Sequence, residues 1–169
     1  LESVLEASPL RIAARCKHFG LCGGCTWQNL KYADQLKFKE QIVRETLEHL
    51  GGFSSEALDR VMRPVIGSRD PWYYRNKMEL SFDEGEPKEG KPSAPLRVGL
   101  HPRNHRYEVF DMEECFLQSD VLAEIAATMR TFAREHKLTV FKGTTEKGLL
   151  RSLMVREGKH TGERMLHLI

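Results

Sequence analysis

The chain has four cysteines, and three of them share one short segment, Cys16-Lys17-His18-Phe19-Gly20-Leu21-Cys22-Gly23-Gly24-Cys25, with the fourth, Cys115, far downstream. A C-x5-C-x2-C run completed by one remote cysteine suits a backbone wrapped around a cubane iron–sulfur cluster, in which four thiolates each take one iron. The Gly23-Gly24 pair fits that geometry, because glycine accepts positive φ and lets amide N–H groups turn toward sulfur.

Other chemistries use the same residues. Structural zinc takes two short Cys/His pairs, whereas here one pair is tight, a third cysteine precedes it and the fourth stands alone. Disulfides suit an oxidising compartment, but nothing at the N-terminus reads as a signal peptide, so a cytoplasmic location is expected. Four buried thiols are the plainest alternative, and a CGGC turn in a glycine-rich segment speaks against it.

The elements that must position these cysteines can be read from periodicity. After the cysteine segment, Tyr32, Leu36, Val43, Leu47 and Leu50 recur at helical spacing, with Asn29 as the expected N-cap and Gly51-Gly52 as the stop. Lys31, Lys37, Lys39 and Arg44 on this helix read as a solvated face. A short helical piece follows around residues 54–61, and Pro64 and Asp70-Pro71 break the pattern. From Tyr74 to Phe82 apolar and polar residues alternate at period two, which predicts a strand. Residues 83–95 read as a flexible loop. Strands are predicted over 96–101 and 106–111, a helix over 118–136, and a hairpin of strands 149–157 and 163–169 around Gly158–Gly162. The fold class is α+β: an antiparallel sheet of about five strands with flanking helices and an N-terminal iron–sulfur segment. The expected division is 1–30 for the cysteine-rich segment and 31–169 for a central α+β domain.

Composition limits the partners. Lys+Arg total 26 against 24 Asp+Glu in 169 residues, a net charge of +2, so any nucleic-acid surface must be local. No apolar run is long enough for a membrane, and a monomer is expected. Arg75 and Lys77 project from one strand face, and Arg103, His105 and Arg106 gather at a neighbouring turn. Together they form a candidate RNA-binding patch, with charged residues on a wet sheet face as the plainer reading. Trp72, Tyr73 and Tyr74 could stack on unpaired bases or fill the core. The chain begins without Met and stops in a strand-like run, Arg164–Ile169, so it is expected to be a piece of something longer.

The runs Cys22-Gly23-Gly24-Cys25-Thr26-Trp27-Gln28, Tyr74-Arg75-Asn76-Lys77-Met78-Glu79, Gly99-Leu100-His101, Asp111-Met112-Glu113-Glu114-Cys115 and Gly148-Leu149-Leu150-Arg151 occur here in this order. In this the chain resembles the RNA uracil-5-methyltransferases, and the bacterial 23S rRNA (uracil-5-)-methyltransferase branch (RumA/RlmD type) more than the tRNA branch. The resemblance implies that Cys16, Cys22, Cys25 and Cys115 hold a 4Fe–4S cluster, that the surrounding domain helps bind ribosomal RNA, and that an S-adenosylmethionine-binding domain follows.

Methylation at C5 of uracil calls for a thiolate to add at C6 and a base to remove the C5 proton. All four cysteines match cluster ligands, so none is left as nucleophile, and no glycine-rich cofactor turn is present. The catalytic residues are therefore expected outside this chain, which alone is expected to bind no S-adenosylmethionine and to be inactive. The contrasting expectation is an electron-transfer or redox-sensing iron–sulfur module, or a structural zinc domain.

Overall fold

In the computed structural model, which describes residues 4–85, 95–105 and 107–169, the alternating segment becomes β1 (Lys77–Asp83), whose Met78, Leu80 and Phe82 are buried. It lies at the centre of an antiparallel sheet with β2 (Arg97–Leu100), β3 (Phe110–Asp111), β4 (Ser152–Glu157) and β5 (Arg164–Leu168), in the order β3-β2-β1-β4-β5. The register sets Met78 opposite Val155, Leu80 opposite Leu153 and Phe82 opposite Val98. Directly paired residues share a face, so these six side chains form one apolar surface.

That surface is covered by α3 (Leu122–Glu135), which packs on β2 and buries Leu122, Ala126 and Ala133. The two alanines let the helix backbone approach the sheet, and Met112 and Val140 complete the core. Each fully buried leucine contributes about 1.5–3 kcal/mol by leaving water. Polar bonds fix the helix over its strands. Arg130 Nε donates to Asp111 Oδ1 at 2.8 Å and Arg134 Nε to the Leu96 carbonyl at 3.1 Å, while Asp111 also accepts the Val98 amide at 2.9 Å.

The chain divides into two compact units, one of Leu1–Arg15 with Trp27–Pro71 and the other of Cys16–Thr26 with Trp72–Ile169. The sheet, α3 and all four cysteines belong to the second. The first carries α1 (Tyr32–His49) and α2 (Ser55–Val61). Ser54 caps α2 by accepting the Ala57 amide at 3.3 Å. Two basic residues of the expected solvated face make ion pairs within the unit, Lys37 with Asp34 at 3.1 Å and Arg44 with Asp59 at 2.8 Å. Among the described residues no helix is long and apolar enough to cross a membrane.

Several element boundaries differ from the periodicity, each for a visible reason. Asn29 does not cap α1. The N-cap is Lys31, which makes no side-chain cap bond, and the Gln35 amide instead ties the entry by donating to the Leu30 and Trp27 carbonyls. Residues 74–76 precede β1 rather than joining it: Tyr73 has φ 54°, and the Tyr73 and Arg75 amides donate to Phe116 and Leu117. Tyr74 is accordingly exposed. The strand predicted from residue 106 shrinks to Phe110–Asp111, because His105 and Glu108 close turns at 3.1 and 3.2 Å. The third helix starts at Leu122 rather than 118, since the buried Gln118 spends its amide on the Val155 carbonyl at 2.8 Å. β4 starts at Ser152 because the Leu149 and Leu150 amides both bond to Thr139. The expected loop over 83–95 falls largely outside the described residues.

Gly99 sits where β2 meets β3, and a β-carbon there would collide with the Phe110 carbonyl oxygen and the Met112 amide nitrogen. Backbone atoms cannot swing aside as a side chain does. Gly99→Ala should therefore destabilise the protein by about 1–3 kcal/mol, read as a lower urea midpoint, and an unchanged midpoint would refute this account of the β2–β3 contact.

Candidate metal centre and its basic neighbours

The cysteine segment is a chain of tight turns. The Phe19 amide bonds to the Cys16 carbonyl at 3.0 Å and the Cys22 amide to His18 at 2.8 Å. Gly20 takes φ +94°, a left-handed conformation that favours glycine. This loop is bound to the end of the sheet at two places. On one side the turn after β2 holds it: the Arg103 amide donates to Leu21 at 2.8 Å, the Gly23 amide to His101 at 3.4 Å, and Arg103 Nη2 to the Cys25 carbonyl at 2.9 Å.

On the other side the residues beside Cys16 meet those beside Cys115. The Lys17 amide bonds to the Glu114 carboxylate, the Lys17 ammonium pairs with Glu113, and the Glu113 amide donates to His18 Nε2 at 3.1 Å. The His18 ring lies 4.9 Å from that of Phe110. Cys115 itself packs against the core. The next residues, Phe116 and Leu117, accept the Tyr73 and Arg75 amides at 2.8 Å each, which brings Arg75 beside the cysteine.

The four thiols share an electrostatic neighbourhood, and none is in a disulfide. Burial raises the pKa of Cys16, Cys22 and Cys115, and negative charge on their neighbours raises it further: Glu114, Cys115 and Cys25 act on Cys16, Cys25 on Cys22, and Cys25 and Cys22 on Cys115. Two features oppose the rise. A backbone N–H two residues on donates to each of these sulfurs, from His18, Gly24 and Leu117 respectively, the Gly24 bond being 3.3 Å. The Arg75 charge favours the thiolates of Cys22 and Cys115, and Arg103 that of Cys22. Among the described residues no group of three or more His, Cys, Asp or Glu side chains could hold a metal ion as the side chains stand.

Of the residues expected to bind RNA, Arg75 and Arg103 both act electrostatically on Cys22. Arg75 is half-buried and directs Nη1 to Met78 Sδ at 3.6 Å. Lys77 is exposed, 3.7 Å from Glu79, and His105 lies 3.8 Å from Glu108. Arg103 reaches back to the cysteine loop, and Arg106 lies outside the described residues. Of the three neighbouring aromatics, Trp72 and Tyr73 meet Phe116 edge-on at 6.1 Å. Sequence reasoning missed Lys17, His18, Glu113 and Glu114. Their signal was present as a basic pair following Cys16 and an acidic pair preceding Cys115.

No family model matches the chain. Curated relatives do. An uncharacterized RNA methyltransferase of Chlorobaculum tepidum is 33% identical over 174 residues, which cover 98% of this chain and 35% of that protein. One from Halalkalibacterium halodurans is 34% identical over 168 residues, 99% of this chain and 34% of that protein. A third, from Protochlamydia amoebophila, is 36% identical over 168 residues, 99% and 35%. Among solved structures, the Pyrococcus abyssi tRNA (uracil-54, C5)-methyltransferase in complex with S-adenosyl-L-homocysteine matches with a TM-score of 0.63 at 28% identity, over 98% of this chain and 33% of that one. These matches support an RNA methyltransferase family. The chain spans about a third of the length of the curated relatives it matches.

Since burial and neighbouring negative charge hold three of the thiols above their ordinary pKa, they are protonated at neutral pH in the metal-free protein. Protonated thiols are poor nucleophiles. A folded-state pKa above the unfolded value also contributes stability at neutral pH that is lost as pH rises through the folded value. Metal-free protein should thus react with iodoacetamide more slowly at pH 7 than after denaturation, and become less stable above about pH 8.5. Equal alkylation rates in the folded and unfolded states would contradict the raised pKa values.

Proposed function

We propose that this chain is the cluster-bearing, RNA-contacting part of an S-adenosylmethionine-dependent RNA uracil-5-methyltransferase whose substrate is 23S ribosomal RNA. The observation that carries the reading is that Cys16, Cys22, Cys25 and Cys115 belong to one unit and influence one another electrostatically in pairs, with backbone N–H groups directed at three of the sulfurs. Methyltransferase chemistry is supported by the relatives' names, and S-adenosylmethionine by the S-adenosyl-L-homocysteine bound to the Pyrococcus abyssi enzyme. That enzyme is named for a tRNA uracil. The choice of ribosomal RNA rests on the motif resemblance, above all on the cysteines combined with Tyr74-Arg75-Asn76-Lys77.

Four thiols are the donor chemistry that a 4Fe–4S cluster takes. None is oxidised to a disulfide, and backbone bonds hold their loops in place. Binding requires the thiols to rotate onto the cluster and lose their protons, which the N–H···S turns and the two arginines favour. When bound, the cluster supplies a covalent cross-link between the N-terminal segment and the sheet, with no redox step on the substrate. The division into a cysteine-rich segment over 1–30 and an RNA-binding domain over 31–169 belongs to the same reading. Methyl transfer is assigned to residues outside this chain, because cluster binding leaves no cysteine here to add to uracil. RNA contact is proposed for Arg75, Lys77, Arg103, His105 and Arg106, with the exposed Lys77 foremost.

Protein prepared without oxygen should be brown and carry about four irons and four sulfides per chain. One zinc without sulfide would refute the cluster. Lys77→Ala should weaken binding to ribosomal RNA fragments and lower the salt dependence by about one unit of slope, with the thermal melt nearly unchanged. Affinity equal to that of the unaltered chain would return Lys77 to an ordinary solvated face.

A further inference from the structure

The register of the sheet sets charged residues directly opposite one another at three places among the described residues. Two of these pairs are complementary. Asp83 faces Arg97 and forms an ion pair with it, and Glu157 faces Arg164 at 3.4 Å. The third sets Lys77 opposite Arg156. Like charges directly opposite destabilise a sheet, and little nearby relieves this pair. Lys77 lies 3.7 Å from Glu79 Oε2, while Glu79 Oε1 accepts the Ser152 hydroxyl at 3.1 Å. Both carboxylate oxygens are thus engaged on the side of β1, and Arg156 makes no side-chain hydrogen bond or ion pair among the described residues.

Strand alternation puts Lys77 and Arg156 on the sheet face opposite the one where Met78, Leu80, Leu153 and Val155 pack with α3. Their row continues across β5 to Met165, and the next row runs Glu79, Met154, His167. Lys77, Arg156, Met165 and His167 are exposed, and Met154 is half-buried. A strand surface with two adjacent cations, and with thioethers and an imidazole beside them, offers what an unpaired RNA strand uses: charge for its phosphates and soft, flat groups for its bases. We propose that a single-stranded segment of RNA lies on this face, with Arg156 and Lys77 sharing its phosphates and His167 stacking on a base. The proposal rests on the RNA contact proposed for Lys77 and goes beyond it, because it adds Arg156 and His167 and states which face of the sheet the RNA covers. A phosphate between the two cations turns an unfavourable pair into a clamp, so the repulsion borne by the free protein is relieved on binding.

The test measures binding of the 169-residue chain to a single-stranded oligouridylate and to an RNA duplex of the same length, over a series of salt concentrations. The variants are Arg156→Gln, Arg156→Lys, Lys77→Ala, His167→Ala and, as a control for loss of any exposed charge, Lys39→Gln on α1. Arg156→Gln should lower the salt slope for the single strand by about 0.7, the value of one phosphate contact, and Arg156→Lys should keep it. His167→Ala should weaken single-strand binding on the order of fivefold, the lower end of what a stacked base contributes, with the slope unchanged and duplex binding unaffected. The thermal melt of Arg156→Gln should not fall, since a like-charge neighbour is removed. If that variant fails to fold, Arg156→Met gives the same reading. A slope unchanged by Arg156→Gln but lowered by Lys77→Ala would overturn this face while leaving RNA contact at Lys77 in place. An equal loss with Lys39→Gln would mean diffuse attraction and also overturn it. So would self-association, seen by sedimentation and abolished by Met165→Asp, with RNA binding unmoved, because the face would then join two copies of the chain. Binding unaffected by both Lys77→Ala and Arg156→Gln would sink the RNA reading of Lys77 itself, and this proposal with it.

Discussion

The candidate centre depends on a small set of hydrogen bonds that tie residues 17–25 to residues 101–114. The Lys17 and Glu113 amides, the Arg103 amide and the Arg103 guanidinium each reach a partner far along the chain. None is strong by itself, since a hydrogen bond contributes about 0.5–1.5 kcal/mol net. Their effect is geometric: they convert a flexible glycine-rich segment into a wall of the sheet unit. Gly99 is what allows this wall to exist, because β2 and β3 must approach closely for the turn between them to present Arg103 and the His101 carbonyl to the loop.

Charge around the cysteines is arranged in two tiers. Lys17 and Glu113 neutralise one another at the surface and act mainly as a latch. The positive charge of Arg75 favours the thiolates of Cys22 and Cys115, and that of Arg103 the thiolate of Cys22. A net charge of +2 conceals this arrangement, because the whole-chain balance averages over α1, where Lys37 and Arg44 are already paired. What distinguishes the centre is the placement of four or five charges rather than any excess of one sign.

Much of this was legible in the sequence, and the remainder was hidden for identifiable reasons. Met78, Leu80 and Phe82 were readable as a buried face because strand periodicity is a local property. Their partners Leu153, Val155 and Val98 could not be assigned, because register is a long-range property. Strand ends were misplaced wherever an amide found a partner outside the ladder, as at Arg75 with Leu117 and Leu150 with Thr139. For the candidate site, the spacing of Cys16, Cys22 and Cys25 marked the residues. The hydrogen bonds of Arg75 and Arg103 could not be read, since their partners Leu117, Leu21 and Cys25 are brought to them only by the fold. Only the turn at Tyr73, with φ 54°, reveals where Arg75 goes.

The order of the sheet has a consequence for how the protein comes into being. β1 is central, yet it pairs on one side with β4, over seventy residues later, and Ser152 and Glu157 are therefore synthesised long after Lys77. Closing so large a loop is entropically demanding, and topologies dominated by distant pairings fold slowly. Cys115 arrives between these events, on the segment joining β3 to α3. Cys16, Cys22 and Cys25 are therefore synthesised long before the segment that carries Cys115. In a cell this leaves a window in which the first three cysteines are exposed to oxidants and stray metals, and the speed of sheet closure sets how long that window stays open.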